Sequence, residues 1–271
     1  MGQSHFSDDS CDRLIEDKYK IVAICGNDRN ISRLKVMDTT NLGRIISLCY
    51  TKNKNTIINP VILQLDHKNI VKYHGKYSSA QHPVTLKKNK KITYHTILLE
   101  YWTADLSYLI QCLNKNSEYL PVATIQKFAL SISRALAYLH DNDVFLDKLY
   151  TKNIVLVATE SDTDEPDIRD SVASYDCKIN LFYIVGDAGD ITSRQRANDI
   201  HSIGMLVLQM VTTLNDLEFF KEFGSLGAAD IISKVEKNNY DFSSIIISCL
   251  NPIIVERPSA RNLAYSFFNY K

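Results

Sequence analysis

Short apolar segments separated by polar turns fill the first third of the chain. Apolar residues cluster over residues 19–24, 34–37 and 45–50, and residues 92–101 form a further apolar stretch. The tripeptide Asn41-Leu42-Gly43 between two of these segments is typical of a hairpin turn. The pattern predicts a strand-rich region over the first hundred residues, with a hairpin inside it.

The pattern changes to helical periodicity after Thr124, a residue type that often caps a helix. Apolar residues then recur every three or four positions, at Ile125, Phe128, Ala129, Ile132, Ala135, Leu136 and Leu139. A second stretch repeats in the same way over residues 199–213, at Ile200, Ile203, Leu206, Val207 and Met210. Both patterns predict amphipathic helices that turn one side to a core. Residues 158–176 are rich in acidic side chains and predict a surface loop that nothing apolar anchors.

A strand-rich first third and a helix-rich remainder predict an α+β fold with two lobes. We expect a polar, flexible tail over residues 1–18 and a single domain over residues 19–268. Within this domain the β-rich lobe covers about residues 19–100, the connection about 100–106 and the helical lobe about 107–268.

Composition excludes several classes of protein. Lys+Arg and Asp+Glu both number 31, and the resulting zero net charge argues against a nucleic-acid-binding protein. No apolar run approaches the roughly 18 residues that a membrane span needs. The polar start of the chain contains no apolar signal segment, and the cysteines show no Cys-x-x-Cys spacing. We therefore expect a soluble cytoplasmic protein with free thiols, without bound metal and without a membrane span.

Five segments of the chain resemble, in the same order, motifs of the protein kinase family. They are residues 65–75 (helix C to the fourth strand), 98–110 (gatekeeper, hinge and helix D), 135–156 (helix E and catalytic loop), 199–210 (helix F) and 251–260 (the R-P-[ST] segment). The resemblance implies the two-lobed kinase fold, with Glu100 to Trp102 as the hinge whose backbone holds ATP in an active kinase.

The catalytic loop differs from the kinase pattern Y-L-H-x₅-H-R-D-x-K-x-x-N. Tyr138-Leu139-His140 and Asn153 match its two ends without a gap. The resemblance then places Leu146 at the histidine, Lys148 at the catalytic aspartate and Tyr150 at the lysine. A charged ammonium at position 148 cannot accept the proton of a substrate hydroxyl, so the general base is missing.

Two questions about this loop stay open. A shift of one residue would bring Asp147 to the position of the base, although the ungapped match favours Lys148. Asn153 matches the metal-binding asparagine, and its alternative role is to satisfy nearby loop backbone. The loop is also similar to that of the pseudokinase domains of Janus-type tyrosine kinases.

The phosphate-binding groups are replaced as well. Ile46-Ser47-Leu48-Cys49 matches the strand motif V-A-[IV]-K, which places Cys49 at the phosphate-binding lysine. The glutamate of helix C falls near Ile58 or Asn59, and neither side chain can pair with a lysine. Of the three glycines in the phosphate-binding loop the sequence keeps Gly26 alone, and a turn between two strands is the favoured interpretation of that segment.

The metal-binding D-F-G motif has two possible registers. Leu181-Phe182-Tyr183 is favoured because a basic residue opens the strand before it, and Asp187-Ala188-Gly189 is the alternative, which keeps a carboxylate at Asp187. In both registers about ten residues separate the motif from Asp199, so the activation segment is very short. Arg257 matches the arginine that normally pairs with the glutamate of an A-P-E motif, which this sequence lacks.

These replacements predict a catalytically inactive kinase-like domain, a pseudokinase, that acts as a protein-interaction or allosteric module. A protein partner is expected, an active kinase being one candidate, and no cofactor is expected. One alternative is an atypical or weakly active ATP-dependent kinase that uses Asp187 with Mg²⁺ and Asp147 as base. The other is a non-catalytic nucleotide-binding switch that uses Glu100, Trp102, Asn153 and Asp187.

Overall fold

The computed structural model of the chain describes residues 14–28, 31–52, 63–80, 83–84, 92–146, 149–159, 168, 172–181, 192–223, 230, 233 and 242–270. The chain divides into two compact units. The first comprises Met1–Gln64 and Val71–Tyr101, and the second comprises Leu65–Ile70 and Trp102–Lys271.

The first unit is built on an antiparallel six-stranded sheet with the strand order β1-β2-β3-β4-β6-β5. Its strands are β1 (Leu14–Ile15), β2 (Tyr19–Asp28), β3 (Ile31–Asp38), β4 (Arg44–Thr51), β5 (Tyr73–Ser79) and β6 (Tyr94–Glu100). The predicted hairpin turn is confirmed, because Leu42 and Gly43 have φ angles of 52° and 71°. The N–H of Arg44 closes the turn by donating to the carbonyl of Asn41 at 3.0 Å.

The core of the first unit lies on one face of this sheet. Leu34 of β3 pairs with Leu48 of β4, and their buried side chains pack with Leu98 of β6. Ile15 of β1 is buried in the same core. The sequence analysis placed residues 14–18 in a flexible tail, which was wrong for β1, because an apolar side chain anchors this strand to the sheet.

The second unit contains most of the helices and a three-stranded sheet with the order β7-β8-β9. Its elements are β7 (Ala104–Asp105), α1 (Leu106–Lys115), α2 (Val122–Asp141), β8 (Ile154–Ala158), β9 (Tyr175–Ile179), α3 (Ser193–Thr212), α4 (Asp216–Phe223), α5 (Ser243–Leu250) and α6 (Ala260–Phe268). Short 3-10 turns occur at Thr151–Asn153, Val172–Ser174 and Ile254–Glu256. The two units together confirm the predicted α+β class.

Both predicted amphipathic helices are confirmed, and every apolar residue of their predicted stripes is buried. Their starts differ from the prediction. Helix α2 begins at Val122 after Pro121, so Thr124 lies in its first turn and is not its cap. Proline suits the start of a helix because the N–H that it lacks has no partner within the helix there.

Helix α3 begins at Ser193, six residues before the predicted start. Thr192 and Gln195 form a capping box there. The Thr192 side chain accepts from the N–H of Gln195 at 3.2 Å, and the Gln195 side chain accepts from the N–H of Thr192 at 2.8 Å. These bonds satisfy two N–H groups that the first turn leaves without partners, which extends the helix beyond its apolar stripe.

The acidic segment 158–176 is described only in part. Within it Ile168, Val172 and Tyr175 are buried, and β9 begins at Tyr175. The ammonium of Lys127 donates to two backbone carbonyls of this segment, at 2.8 and 2.9 Å. The expectation that nothing apolar anchors the segment was therefore wrong for its C-terminal part.

In the part of the chain that the structure describes, apolar helix of membrane-spanning length is found only when two helices joined at a bend are counted together. Within the described ranges, no single helix is long and apolar enough to cross a bilayer. Helices α3 and α4 pass that test of length and composition only as a pair, and they are bent by 108° relative to each other.

Candidate functional site

Cys49 lies in the interior of β4, and its side chain is buried. Its backbone pairs with Arg33 of β3 on one side and with Ile97 of β6 on the other. Burial raises the pKa of the Cys49 thiol to about 12, and the nearby charge of Arg33 opposes this effect only in part. The sulfur is therefore a neutral thiol at physiological pH and cannot supply the positive charge that phosphate groups need.

The segment that the resemblance aligns with the phosphate-binding loop forms part of a strand pair. Gly26 belongs to β2 and pairs with Arg33 of β3, and the pairing continues to Asp28 opposite Ile31. The backbone of this segment is thus committed to a hairpin, in agreement with the favoured interpretation as two strands and a turn. Ile58 and Asn59, the predicted positions of the helix C glutamate, lie outside the described residues.

Backbone hydrogen bonds hold the predicted hinge residue Glu100 in the first unit and Thr103, the neighbour of the predicted hinge residue Trp102, in the second. In the first unit the N–H of Glu100 donates to the carbonyl of Lys72 at 2.8 Å, and the Glu100 carboxylate accepts from the N–H of Lys72 at 3.1 Å. In the second unit Trp102 is buried, and the N–H of Thr103 donates to the carbonyl of Leu156 at 2.9 Å. The N–H of Glu100 is therefore engaged by the protein itself.

A buried carboxylate holds the segment that leads into the catalytic loop. The N–H of Leu146 donates to both oxygens of Asp199, at 3.1 and 3.2 Å. Nε2 of His140 lies 2.9 Å from Oδ2 of the same carboxylate. Asp147 and Lys148, the two candidates for the base position, lie outside the described residues.

Asn153 uses its side chain to close the 3-10 turn at the end of this loop. Its Oδ1 accepts from the N–H of Tyr150 at 3.0 Å, and its own N–H donates to the carbonyl of Tyr150 at 2.9 Å. Its carbonyl accepts from the N–H of Asn180 at 2.8 Å. The side chain is buried. These contacts correspond to the alternative role in which Asn153 satisfies loop backbone.

Asp216 connects this turn to two helices. Its carboxylate accepts from the hydroxyl of Thr151 at 2.8 Å, from the hydroxyl of Ser107 at 3.2 Å and from the amide of Gln209 at 2.8 Å. The donors come from the 3-10 turn, α1 and α3. The sequence analysis missed Asp216, because its partners lie far apart in the chain and no local motif relates them.

Tyr150, which the sequence analysis places at the catalytic-loop lysine, belongs to an exposed apolar surface. Its ring meets the ring of Phe220 edge to face, with centroids 6.4 Å apart. Tyr150 is 40% exposed and Phe220 50% exposed, and Leu217 on the same helix as Phe220 is 81% exposed. We call these three residues the α4 surface.

Leu181 lies two residues after the end of β9 and is buried. The end of the strand is positioned by Ile179, whose N–H donates to the carbonyl of Asn69 at 2.8 Å. An alkyl side chain offers no ligand to a metal ion. Asp187, the carboxylate of the alternative register, lies outside the described residues. In the described ranges no group of three or more His, Cys, Asp or Glu side chains could hold a metal ion.

Arg257 binds backbone in place of the absent A-P-E glutamate. Its Nη1 donates to the carbonyl of Ala197 at 2.9 Å, and its Nε donates to the carbonyl of Asn251 at 2.8 Å. The guanidinium thus joins the N-terminal part of α3 to the segment that follows α5.

Comparison with known proteins places these residues in a family context. Residues 50–267 match the family model described as protein tyrosine and serine/threonine kinase. Cys49 lies one residue before this match, so its assignment to the phosphate-binding lysine stays a prediction from the motif at residues 46–49.

Two curated proteins, from Drosophila melanogaster and Drosophila pseudoobscura pseudoobscura, are also similar to the chain. Both are named nuclear receptor-binding protein homolog. Each is 25% identical to this chain, over 218 and 227 residues respectively, which is 75% of the chain. The aligned regions are 33% and 32% of the two relatives, so the chain spans about a third of their length.

Proposed function

Because the chain belongs to the protein tyrosine and serine/threonine kinase family, we propose that it is a catalytically inactive member that binds a protein partner. The observation that carries the proposal is the neutral, buried thiol of Cys49 at the position of the phosphate-binding lysine. Family membership accounts for the fold, whereas activity depends on the individual groups of the site.

Two further positions support this proposal. The favoured register puts the alkyl side chain of Leu181 where an active kinase holds its metal ion, and the aligned loop puts Lys148 where the base would stand. Phosphoryl transfer depends on bridging metal ions, on positive charge at the phosphates and on a positioned base. The simultaneous loss of these groups removes most of the transition-state stabilisation that a kinase provides. The similarity of the loop to Janus-type pseudokinase domains points in the same direction.

The names of the two relatives favour protein binding as the role of a family member without catalytic activity. They are named as nuclear receptor-binding proteins, and the chain is similar to about a third of each. We therefore take a nuclear receptor as the first partner to test and an active kinase as the second. The α4 surface is the proposed contact region, since apolar and aromatic side chains are well suited to the centre of a protein interface.

Inactivity is tested by phosphate transfer from radiolabelled ATP, to the chain itself and to a mixed peptide substrate, with Mg²⁺ or Mn²⁺ present. We expect the wild type, Asp147→Asn and Asp187→Asn to transfer no more label than a blank without protein. Transfer by the wild type that both variants abolish would overturn the proposal and establish the kinase alternative.

Partner binding is tested by biolayer interferometry with Leu217→Ser. Leu42→Ser is the matched control, because Leu42 is also an exposed leucine but lies in the β3–β4 turn of the first unit. We expect the wild type and Leu42→Ser to bind with equal affinity. The affinity of Leu217→Ser should be at least about tenfold lower. Circular dichroism verifies that each variant is folded. Failure of the folded wild type to bind either partner, or equal binding by all three proteins, contradicts this part of the proposal.

A further inference from the structure

Charge is unevenly distributed along this neutral chain. Between Asp66 and Glu100 the sequence contains seven lysines and no acidic residue. From Glu160 to Asp170 it contains six acidic residues and one arginine. The two stretches are opposite in sign, so each is electrostatically complementary to the other.

The basic stretch includes a strand at the edge of the sheet in the first unit. β5 is the last strand of this sheet, and it pairs with β6 on one side and with no described strand on the other. Lys76 within β5 is exposed, and so is Lys72 directly before it. The outer edge of such a strand presents N–H and C=O groups to which an extended segment can add as a further strand.

The lysines restrict which segment can pair with this edge. The β5 edge of a second copy would bring like charges together, which is unfavourable, and lysines on edge strands oppose such pairing in proteins generally. A segment with carboxylates opposite the lysines would gain attraction in place of this repulsion. The edge therefore favours an acidic strand over another β5.

A bulge in β5 sets the spacing that such a strand must match. Lys76 pairs with Ile97 of β6, and the carbonyl of Lys72 accepts from the N–H of Glu100 at 2.8 Å. The two lysines are four positions apart on β5, whereas their partners are three positions apart on β6. The register shift at His74 accounts for the extra residue. A regular strand on the outer edge therefore needs two carboxylates that are three positions apart.

The acidic stretch contains this spacing at Asp162 and Glu165. Asp164 and Asp167 have the same spacing, but Pro166 lies between them and has no N–H to donate to a neighbouring strand. The pair Asp167 and Asp170 encloses Ile168, whose side chain is buried in the protein itself. Asp162 to Glu165 is thus the four-residue run that suits the edge.

From this register we propose that two copies of the chain associate, with Asp162 to Glu165 of one copy added as an antiparallel strand to the β5 edge of the other. Asp162 then lies opposite Lys76 and Glu165 opposite Lys72. Backbone hydrogen bonds hold the strand, and the opposite charges select its register. The contact is short, so the association is weak and sensitive to salt. The inference goes beyond the proposed function, because this contact uses neither the α4 surface nor a catalytic position.

The test is sedimentation velocity of the full chain over a hundredfold range of concentration, in about 0.05 M and about 1 M NaCl. We expect the wild type to be in equilibrium between monomer and dimer at low salt and to be more monomeric at high salt. Lys76→Glu and Asp162→Lys should each raise the dissociation constant at least about tenfold, because each places like charges opposite each other. Lys115→Glu is the matched control, since it makes the same change of charge at an exposed lysine of α1. It should dimerise as the wild type does.

A mixture of the two variants separates a contact between copies from a general effect of charge. In an equimolar mixture of Lys76→Glu and Asp162→Lys, each lost pair is re-formed across the two chains with its charges exchanged. We expect this mixture to dimerise within a few fold of the wild-type affinity. Circular dichroism verifies that each variant is folded. Hydrogen exchange of residues 73–79 should slow as the wild type dimerises, because the added strand covers the edge.

Three results would overturn the proposal. The first is a folded wild type that stays monomeric at every concentration at low salt. The second is a dimer whose dissociation constant Lys76→Glu leaves unchanged. The third is a mixture of the two variants that dimerises no more tightly than either variant alone. All of these measurements use the chain without any other protein, so their outcome is independent of the test of the α4 surface.

Discussion

In the helical unit, Nε2 of His140 lies 2.9 Å from Oδ2 of Asp199, and both side chains are buried. The same carboxylate accepts two hydrogen bonds from the N–H of Leu146. Asp199 on α3 thus fixes both the C-terminal turn of α2 and the segment that follows it. A buried carboxylate requires such donors, because burial without them is very unfavourable.

Replacing Asp199 with asparagine should destabilise the protein. An amide offers one acceptor oxygen in place of two and turns an NH₂ group toward donors, so the N–H of Leu146 or the ring of His140 loses a partner. We expect the free energy of unfolding to fall by about 1–3 kcal/mol in urea denaturation. Asp143→Asn is the control, since the pair between Asp143 and Arg196 is exposed and worth less than about 1 kcal/mol. Equal losses in the two variants would contradict the prediction.

Close packing between α3 and α5 predicts that Gly204→Ala is destabilising. A Cβ at position 204 would lie 2.7 Å from Cβ of Cys249 and 3.0 Å from Cδ2 of Leu250. Alanine is the better helix former by up to about 1 kcal/mol, but overpacking a core costs about 1–3 kcal/mol. We expect a lower melting temperature for Gly204→Ala, with little change for Ser202→Ala in the same helix. A higher melting temperature for Gly204→Ala would show that the helices can separate without penalty.

His67 should make stability depend on pH below neutrality. Its ring stacks on Tyr138 with centroids 5.0 Å apart, and its Nδ1 accepts from the N–H of Asn69 at 3.2 Å. Burial lowers the pKa of His67, and the charges of Lys68 and Arg134 lower it further. The unfolded chain therefore binds the proton more readily than the folded chain. The stabilisation is complete above about pH 6.5, the usual histidine pKa, and is lost as the pH falls through the lower folded pKa.

The measurement is urea denaturation of the wild type and His67→Gln from about pH 7.5 to pH 5. We expect the stability of the wild type to fall more steeply toward acid than that of His67→Gln, because glutamine has no proton to gain. Parallel curves for the two proteins would exclude His67 as a source of the acid sensitivity.

Burial should protect three thiols from alkylation. It raises the pKa of Cys49 and Cys249 to about 12 in each case, and it also raises the pKa of Cys177. Cys25 and Cys112 are only partly buried. Since the thiolate is the reactive form, iodoacetamide at pH 8 should modify Cys112 at least about tenfold faster than Cys49 in the folded protein. Peptide mass spectrometry measures these rates, and the difference should vanish in urea. Equal rates in the folded protein would mean that Cys49 is not buried.

The sequence by itself determined the elements and the family of this protein. Apolar residues at helical spacing, such as Phe128 and Leu136, predict α2 because an amphipathic helix buries one side. Short apolar stretches and the turn Asn41-Leu42-Gly43 predict the β3–β4 hairpin. The order and spacing of the motifs point to the kinase family, because fixed spacings place chemical groups on a common fold. The sequence patterns did not predict where these elements begin. Pro121 and Thr192 set the starts of α2 and α3, and the buried side chain of Ile15 holds β1 on the sheet.

Only the tertiary structure decided which distant residues act together. Arg33 and Cys49 are brought together by strand register, which depends on core packing across three strands and not on any local motif. Asp216 gathers donors from three separate elements, and Arg257 binds backbone carbonyls of Ala197 and Asn251. The physical reason is the same in each case. Hydrogen bonds and charges act over a few ångströms in space, so their partners are chosen by packing, whereas periodicity along the chain reports only which side of each element is buried.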